Sequence, residues 1–144
     1  MRLTSFTDYG LRVLMRLAGE PGRAFTTAEL SDEFRVSRNH LAKVISALAG
    51  AGYLETRRGG GGGAMLARPA TEIRLGDVVA ELEAGQALVE CFADGIGACT
   101  LTLRCKLKSR LAHAKAMFLA DLNRSTLADC VYRPNGKERV AEEQ

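Results

Sequence analysis

Two short helical patterns joined by a very tight turn most constrain what this chain can fold into. The capping box at residues 26–29 opens a helix that extends through Phe34, and Ser37 caps the next helix. Only residues 35–36 separate the two. The second helix carries an apolar stripe at i, i+3, i+4 and i+7, formed by Leu41, Val44, Ile45 and Leu48. A helix over residues 7–19 precedes the pair. The pattern predicts a helix-turn-helix, whose second helix enters the major groove of DNA.

The polar residues of this unit are the candidate DNA contacts. Opposite the apolar stripe, the second helix carries hydrogen-bond donors near its N-terminus, where base edges and phosphates would lie. The predicted contacts are Thr27, Ser37, Arg38, Asn39, His40 and Lys43. A merely solvated helix face is the alternative, because nearly every surface helix has a polar outer face.

A glycine-rich hairpin follows the second helix. Residues 53–58 predict a strand, residues 59–63 a flexible turn, and residues 64–67 a returning strand closed by Pro69. We expect a wing with Arg57 and Arg58 at its base and bare glycines, including Gly60, at its tip, so that an arginine can enter a minor groove. A phosphate-cradling nucleotide loop is excluded, because no Lys-Ser/Thr pair follows the glycines. A hairpin without a partner remains the alternative.

Two further helices are predicted after the wing. Residues 73–82 predict a helix that buries Val78, Val79 and Leu82, residues 85–99 are irregular, and apolar residues recur at helical spacing from Leu103 to Leu122. This last helix outgrows a small core, so we expect it to pair with the same helix of a second subunit, packing on its own domain being the alternative.

The predicted fold is mainly α with a small β-hairpin wing, that is, a winged helix-turn-helix domain plus a long dimerisation helix. Its predicted parts are a DNA-binding domain (1–83), a loop that binds a cluster (84–106), the dimerisation helix with a short C-terminal segment (107–132) and a disordered tail (133–144).

Three of the four cysteines, Cys91, Cys99 and Cys105, fall within one short segment. Their wide spacing lacks the paired Cys-x2–4-Cys of structural zinc sites and favours an iron–sulfur cluster, with zinc second, a dithiol switch third and inert buried thiols last. A cluster normally takes four protein ligands. The residues leave the fourth open, with Cys130, His113 and Asp8 as the candidates.

Charge and composition limit the classes of function. Residues 1–70 hold 10 Lys and Arg against 6 Asp and Glu, a net +4, whereas residues 71–144 hold 10 against 11, a net −1. The basic excess therefore lies in the predicted DNA-binding half. No apolar run is long enough for a membrane span or a signal peptide, so we expect a soluble, cytoplasmic protein. Neither His40 nor His113 has a catalytic arrangement near it, so no catalytic residue and no enzyme activity are predicted.

These motifs together resemble the Rrf family of winged-helix regulators. The likeness rests on residues 1–12, the helix at 37–44, the wing at 58–63 and the three cysteines, and it extends to about residue 132. It is strongest for the branch that senses nitric oxide. That branch implies a dimeric repressor of operator DNA with one iron–sulfur cluster per subunit, whose reaction with nitric oxide lowers DNA affinity.

The resemblance also implies the ligands. Cys91, Cys99 and Cys105 would hold a [4Fe–4S] cluster, or [2Fe–2S] after oxygen exposure, with Asp8 of the partner subunit as the fourth ligand. Arg12 would orient that carboxylate, and Cys130 would not be a ligand.

One position separates the branches of the family. The sister branch that reports iron–sulfur supply has a histidine three residues after its third cysteine, where this chain has Lys108. A protonated lysine cannot act as a ligand, which favours the nitric-oxide branch. The iron-responsive branch also has three cysteines and remains the alternative.

Overall fold

The computed structural model of this chain describes residues 2–93, 99–101 and 104–134. The described part is mainly helical with one antiparallel hairpin, as predicted. Its elements in chain order are α1 (Ser5–Gly19), α2 (Thr27–Phe34), α3 (Arg38–Gly50), β1 (Leu54–Arg57), β2 (Gly63–Leu66), α4 (Leu75–Leu82) and α5 (Lys106–Leu122). Short 3-10 helices lie at Ala70–Glu72, Glu90–Phe92 and Leu127–Cys130.

The helix-turn-helix forms as its caps predict. The Thr26 hydroxyl accepts from the Glu29 amide and the Glu29 carboxylate accepts from the Thr26 amide, while the Ser37 hydroxyl caps α3. The turn is tight because Arg35 adopts a left-handed conformation, with φ of 56°. The Ser31 hydroxyl also donates to the Val36 carbonyl at 2.6 Å. These local bonds hold the turn between the two helices.

The first helix begins two residues before the predicted Thr7. Thr4 is its N-cap, and the Thr4 hydroxyl accepts from the Thr7 amide. The apolar face of α1 packs on α3, α4 and β2 in a single core. The fully buried members of that core are Val13, Leu14, Leu17, Phe25, Leu30, Leu41, Val44, Leu48, Ile73, Val78 and Leu127.

The hairpin pairs β1 with β2 from Leu54↔Leu66 to Arg57↔Gly63. A third segment adds to it, because Phe25 exchanges two backbone hydrogen bonds with Ala64, at 2.7 and 2.8 Å. The prediction that Arg57 and Arg58 lie at the base of the wing is wrong. The pairing continues to Arg57, so both arginines lie at the tip end, next to the glycine turn.

The helix predicted over residues 73–82 begins only at Leu75. Ile73 is fully buried and its carbonyl accepts from the Leu127 amide at 2.8 Å, while Arg74 forms a β-bridge with Thr126. This long-range pairing holds residues 73–74 extended. Val78, Val79 and Leu82 are buried, as predicted.

The long helix α5 has seventeen residues and begins at Lys106, with Cys105 in an extended conformation before it. Leu103, the predicted start of its apolar spacing, lies outside the described residues. After α5 the chain returns along α1, where the Tyr132 amide donates to the Met15 carbonyl and the Arg133 guanidinium to the Gly19 carbonyl. The segment predicted as a disordered tail thus starts with a bonded residue, and positions 135–144 lie outside the described residues.

Candidate nucleic-acid interface and cysteine segment

The N-terminal end of α3 presents an exposed polar surface. Arg38, Asn39, His40 and Lys43 are exposed on α3, and the Ser37 hydroxyl accepts from the His40 amide at 3.2 Å. The His40 ring lies 6.2 Å from the ring of Tyr9 on α1. Six of the predicted contacts lie on the two helices of the helix-turn-helix, although Thr27, the first residue of α2, is half-buried. The surface combines positive charge with side-chain donors, which suits phosphate and base edges.

The wing places two more cations at an exposed tip. Arg57, Arg58 and Gly60 are all exposed. The glycine turn is more constrained than its composition indicates, because Gly59 and Gly61 have positive φ and the Gly62 amide donates to the Gly59 carbonyl at 2.9 Å. At Gly60, by contrast, φ is not positive and an added Cβ would meet nothing within 4 Å.

A charged cluster that the sequence reasoning missed lies behind the wing. The Arg16 side chain is only 6% exposed, and its guanidinium donates to Glu33 at 2.8 Å and to Glu20 at 2.9 Å. The guanidinium carbons of Arg16 and Arg23 lie 4.6 and 4.2 Å from the centroid of the Phe25 ring. Hydrogen bonds from Arg16 and Arg23 lower the pKa of Glu20. The available signal was an arginine between Val13 and Leu17 on the apolar face of α1.

The cysteine segment lies between α4 and α5, outside the apolar core. Cys91 belongs to the 3-10 helix Glu90–Phe92, Cys99 follows residues that are not described, and Cys105 immediately precedes α5. All four cysteines of the chain carry thiols rather than disulfides and are half-buried. Cys130 lies elsewhere, in a 3-10 helix that packs on α1. Within residues 2–93, 99–101 and 104–134, no three His, Cys, Asp or Glu side chains form a group that could hold a metal ion.

Asp8 and Arg12 form a pair on the first turns of α1. The Arg12 guanidinium donates twice to the Asp8 carboxylate, at 2.6 and 3.1 Å, and both side chains are about half exposed, at 48% and 49%. Arg12 also lies against the ring of Tyr9, at 5.6 Å. The spacing predicted this pair, and the bidentate contact fixes the direction of the carboxylate.

Glu83, which the sequence did not single out, joins α1 to α4. One oxygen of its carboxylate accepts from the Thr4 amide at 2.8 Å, the Thr4 hydroxyl at 2.8 Å and the Thr7 hydroxyl at 2.5 Å. Burial alone would raise the pKa of Glu83, but the hydrogen bonds from Thr7 and Thr4 outweigh it and lower the pKa. Glu83 thereby ties the end of α4 to the start of α1, the helix that carries Asp8. The segment with the cysteines follows Glu83 in the chain. Its partners are 76 and 79 residues away in the chain, so no local pattern could reveal it.

The long helix α5 leaves an apolar face uncovered. No residue of α5 is buried, and Leu107 and Met117 are 62% and 52% exposed. Near its C-terminal half, a groove of about 420 Å³ lies between α5, α4 and the N-terminal residues, with Leu3, Leu88 and Phe118 among its lining. One protomer therefore exposes large apolar side chains on α5 and an apolar groove beside its C-terminal half.

Comparisons with known proteins agree on one family. Residues 3–133 match the family model described as "Rrf2: Iron-dependent Transcriptional regulator". The oxidised form of CymR from Staphylococcus aureus is similar over 94% of this chain and 100% of that chain, with a TM-score of 0.70 and 22% identity. CymR of B. subtilis, described as its global cysteine regulator, covers 90% of this chain and 95% of that chain, with a TM-score of 0.66 and 22% identity.

IscR of T. potens is similar over 90% of this chain and 85% of that chain, with a TM-score of 0.67 and 25% identity. None of the described helices is long and apolar enough to cross a membrane. The family match extends over most of the chain and agrees with the winged helix-turn-helix fold. The chain therefore belongs to the Rrf2 family of transcriptional regulators, which are regulators of transcription and not enzymes.

Proposed function

We propose that this protein is a homodimeric repressor that binds operator DNA and responds to nitric oxide through an iron–sulfur cluster. The cluster ligands would be Cys91, Cys99 and Cys105 of one subunit with Asp8 of the partner subunit. Three half-buried thiols in one short segment, outside the apolar core, are the observation that carries the proposal. Inert structural cysteines would be expected inside the core.

Exposed donors support the DNA-binding part of the proposal. Arg38, Asn39, His40 and Lys43 occupy the outer face of α3, while Arg57 and Arg58 extend from the tip of the wing. This arrangement would let α3 read base edges in the major groove while the wing arginines contact an adjacent minor groove or its phosphates. Thr27, Ser37 and Gly60 would contact the backbone through hydroxyl and amide groups.

The exposed face of α5 supports a dimer. Leu107 and Met117 are more than half exposed, and Leu111, Phe118 and Leu122 are half-buried at helical spacing. Pairing with α5 of a second subunit would cover this face. A two-fold dimer would also present two α3 helices to a palindromic site.

The chemistry of the donor set fits the cluster. Thiolates are the usual ligands of iron–sulfur clusters, and an oxygen ligand leaves a more exchangeable position for a small molecule. When bound, the cluster would supply the group with which nitric oxide reacts. Arg12 would hold the Asp8 carboxylate in one direction, as it does within the protomer at 2.6 and 3.1 Å.

The packing of α1 would convert a change at Asp8 into a change at the DNA-binding surface. Gly10 lies so close to Leu82 that an added Cβ would be 2.5 Å from its Cδ1, and Val44 of α3 is also near, at 3.7 Å. The close approach joins α1 to α4, and Val44 lies at ordinary van der Waals distance. Because α1 also packs on α3, a shift of α1 would displace α3 as well. A coupling of about 2.7 kcal/mol would change operator affinity about a hundredfold.

Oxygen-free purification with absorbance, iron and sulfide analysis, followed by titration with nitric oxide while DNA binding is monitored, tests the proposal. We expect a brown protein with about four irons per subunit that loses DNA on exposure to nitric oxide. A cluster that is indifferent to nitric oxide but is lost on iron depletion would make the protein an iron sensor. A colourless protein with bound zinc would make the site structural.

The ligands are tested with Asp8→Ala and Cys130→Ala. We expect Asp8→Ala to weaken cluster retention and leave the fold intact, and Cys130→Ala to keep the chromophore. Asp121→Ala is the matched control, since Asp121 is an exposed acid on α5. Unchanged iron content and nitric-oxide response in Asp8→Ala would remove Asp8 from the ligand set, and bleaching of Cys130→Ala would put Cys130 in it.

A further inference from the structure

We propose that Arg16 is a positioning residue for DNA binding, which fixes the wing relative to the helix-turn-helix through the ring of Phe25. The inference rests on the proposed contact between the wing arginines and DNA. It concerns the charged cluster behind the wing. None of the residues in that cluster is a proposed DNA contact or a proposed ligand of the iron–sulfur cluster.

The first step is the attachment of Arg16 to the helix-turn-helix. Its guanidinium donates to Glu33 of α2 at 2.8 Å and to Glu20, just after α1, at 2.9 Å. Two charge-assisted hydrogen bonds to carboxylates on different segments define both the place and the plane of a guanidinium group. The Arg16 side chain is only 6% exposed, so its guanidinium depends on these two carboxylates, which themselves remain 44% and 28% exposed.

The second step is the contact between Arg16 and Phe25. The guanidinium carbon lies 4.6 Å from the centroid of the ring, and Phe25 is 1% exposed. A cation over a desolvated aromatic ring is held in place by the charge distribution of the ring as well as by packing. The ring of Phe25 therefore takes its position from a group that α2 holds.

The third step is the attachment of Phe25 to the wing. The Phe25 amide donates to the Ala64 carbonyl at 2.8 Å, and the Ala64 amide donates to the Phe25 carbonyl at 2.7 Å. The neighbouring Gly63 approaches the backbone of Phe25 so closely that an added Cβ would be 2.4 Å from its carbonyl oxygen. Gly63 pairs with Arg57, so the contacts run without a break from α2 to the first wing arginine.

The energetics favour a geometric role over a purely stabilising one. The ion pairs of Arg16 contribute little net stability relative to apolar groups of the same volume, because the buried guanidinium loses its hydration. The guanidinium instead fixes the orientation of its neighbours, because it binds carboxylates in few geometries. A methionine side chain in its place could pack in many orientations. A wing held by apolar packing alone would keep its fold but not a fixed angle to α3.

The test is a double-mutant cycle in the full-length protein, with the duplex that the wild type selects from a randomised library. Arg57→Ala with Arg58→Ala should weaken binding tenfold or more in the wild type, on the order expected for two DNA-contacting arginines. In the Arg16→Met background the same change should weaken binding about twofold or less. Arg38→Ala on α3 should cost the same factor in both backgrounds.

Matched variants guard against a general loss of stability. Arg23→Met removes the other cation over Phe25, but Arg23 is 45% exposed and does not bond Glu33, so the cycle should change little. Val79→Ala destabilises the buried side of α4 and should leave both factors intact. If Arg16→Met does not fold, Glu33→Gln weakens the same link at a 28% exposed position and should act in the same direction.

Hydrogen exchange supplies a readout that does not depend on DNA. In Arg16→Met the amides of Phe25 and Ala64 should exchange at least tenfold faster, while the β1–β2 amides keep their protection. The proposal is overturned if the wing substitutions weaken DNA binding by the same factor in the wild type and in Arg16→Met. It is also overturned if Arg16→Met reduces the effect of Arg38→Ala as much as that of the wing substitutions. Unchanged hydrogen exchange at Phe25 and Ala64 would overturn it too. If exchange rises as expected but the wing arginines do not affect binding in the wild type, the proposed wing contact fails while the positioning contact stands.

Discussion

Residues 2–82 and the helix α5 differ in how much of their apolar surface they bury. Residues 2–82 bury their large apolar side chains in a core with few exposed exceptions, whereas α5 buries none of its residues and exposes Leu107 and Met117. The first part supplies most of the core, which Leu127 completes from the segment after α5. The second has the surface of a helix that needs a partner, because an exposed apolar face of this length is rare on monomers.

The junction between the two parts is polar. Glu83 joins α4 to the start of α1. The Asn123 side chain accepts a hydrogen bond from the Asp77 amide at 2.9 Å and donates one to the Asp77 carboxylate at 2.9 Å. The Asn123 bonds anchor the end of α5 to α4, and the Glu83 bonds tie the end of α4 to the start of α1. The comparison therefore predicts large effects in the first part, moderate effects at the junction and effects in α5 that depend on protein concentration.

Leu14→Ala should have the largest effect. Leu14 is 0% exposed in the centre of α1, so its truncation leaves a cavity and should lower the free energy of unfolding by about 3 kcal/mol. Urea unfolding measures this loss. The difference between the variant and the wild type should be the same at every protein concentration. A loss below about 1 kcal/mol would mean that the first part is packed as loosely as α5.

Gly63→Ala should cost about 2 kcal/mol of unfolding free energy. Gly63 has a φ of +143°, and an added Cβ would lie 2.4 Å from the Phe25 carbonyl oxygen. Gly60→Ala is the matched control in the same turn, where we expect a change within about 0.5 kcal/mol. Equal unfolding free energies for the two variants would show that the wing is not held against Phe25.

The double variant Leu107→Ser, Met117→Ser should raise the dissociation constant of the dimer about thirtyfold, or about 2 kcal/mol. Sedimentation or mass photometry across a dilution series measures it. Ala112→Ser is the control, because Ala112 is exposed on α5 and lies away from the proposed seam. An unchanged dissociation constant would show that the subunits contact each other elsewhere than on α5.

Glu83→Gln should lower the free energy of unfolding at neutral pH by about 1 kcal/mol, because an amide accepts weaker bonds from Thr4 and Thr7. The folded pKa of Glu83 lies below its ordinary value of 4.5. Its contribution is therefore complete above that value and is lost as the pH falls through the folded pKa.

The pH profile separates this role from simple packing. Urea unfolding of wild type and Glu83→Gln should differ most at neutral pH and converge as the pH falls below 4.5 and through the folded pKa of Glu83, where the wild-type carboxyl becomes protonated. A difference that stays constant from neutral to acid pH would show that the charge of Glu83 does not anchor α1.

Local sequence patterns predicted the first part of the molecule better than the second. The capping box, the Ser37 cap and the apolar stripe of α3 are local patterns, and the structure confirms the helices that they predict. The burial of Val78, Val79 and Leu82 followed from helical periodicity and is also confirmed. The start of α4 was predicted two residues early, because residues 73–74 pair with residues 126–127 far along the chain.

By itself, the sequence determined the helix-turn-helix, the presence of a hairpin, the Asp8–Arg12 pair and the grouping of three cysteines. Each depends on residues within a few positions of one another, whose hydrogen bonds and spacing act locally. Only the tertiary structure showed that Glu83 accepts hydrogen bonds from Thr4 and Thr7 at the start of α1, and that Arg16 is buried between Glu20, Glu33 and Phe25. Those outcomes depend on which distant segments the core brings together, and local hydrogen bonding and periodicity do not specify that.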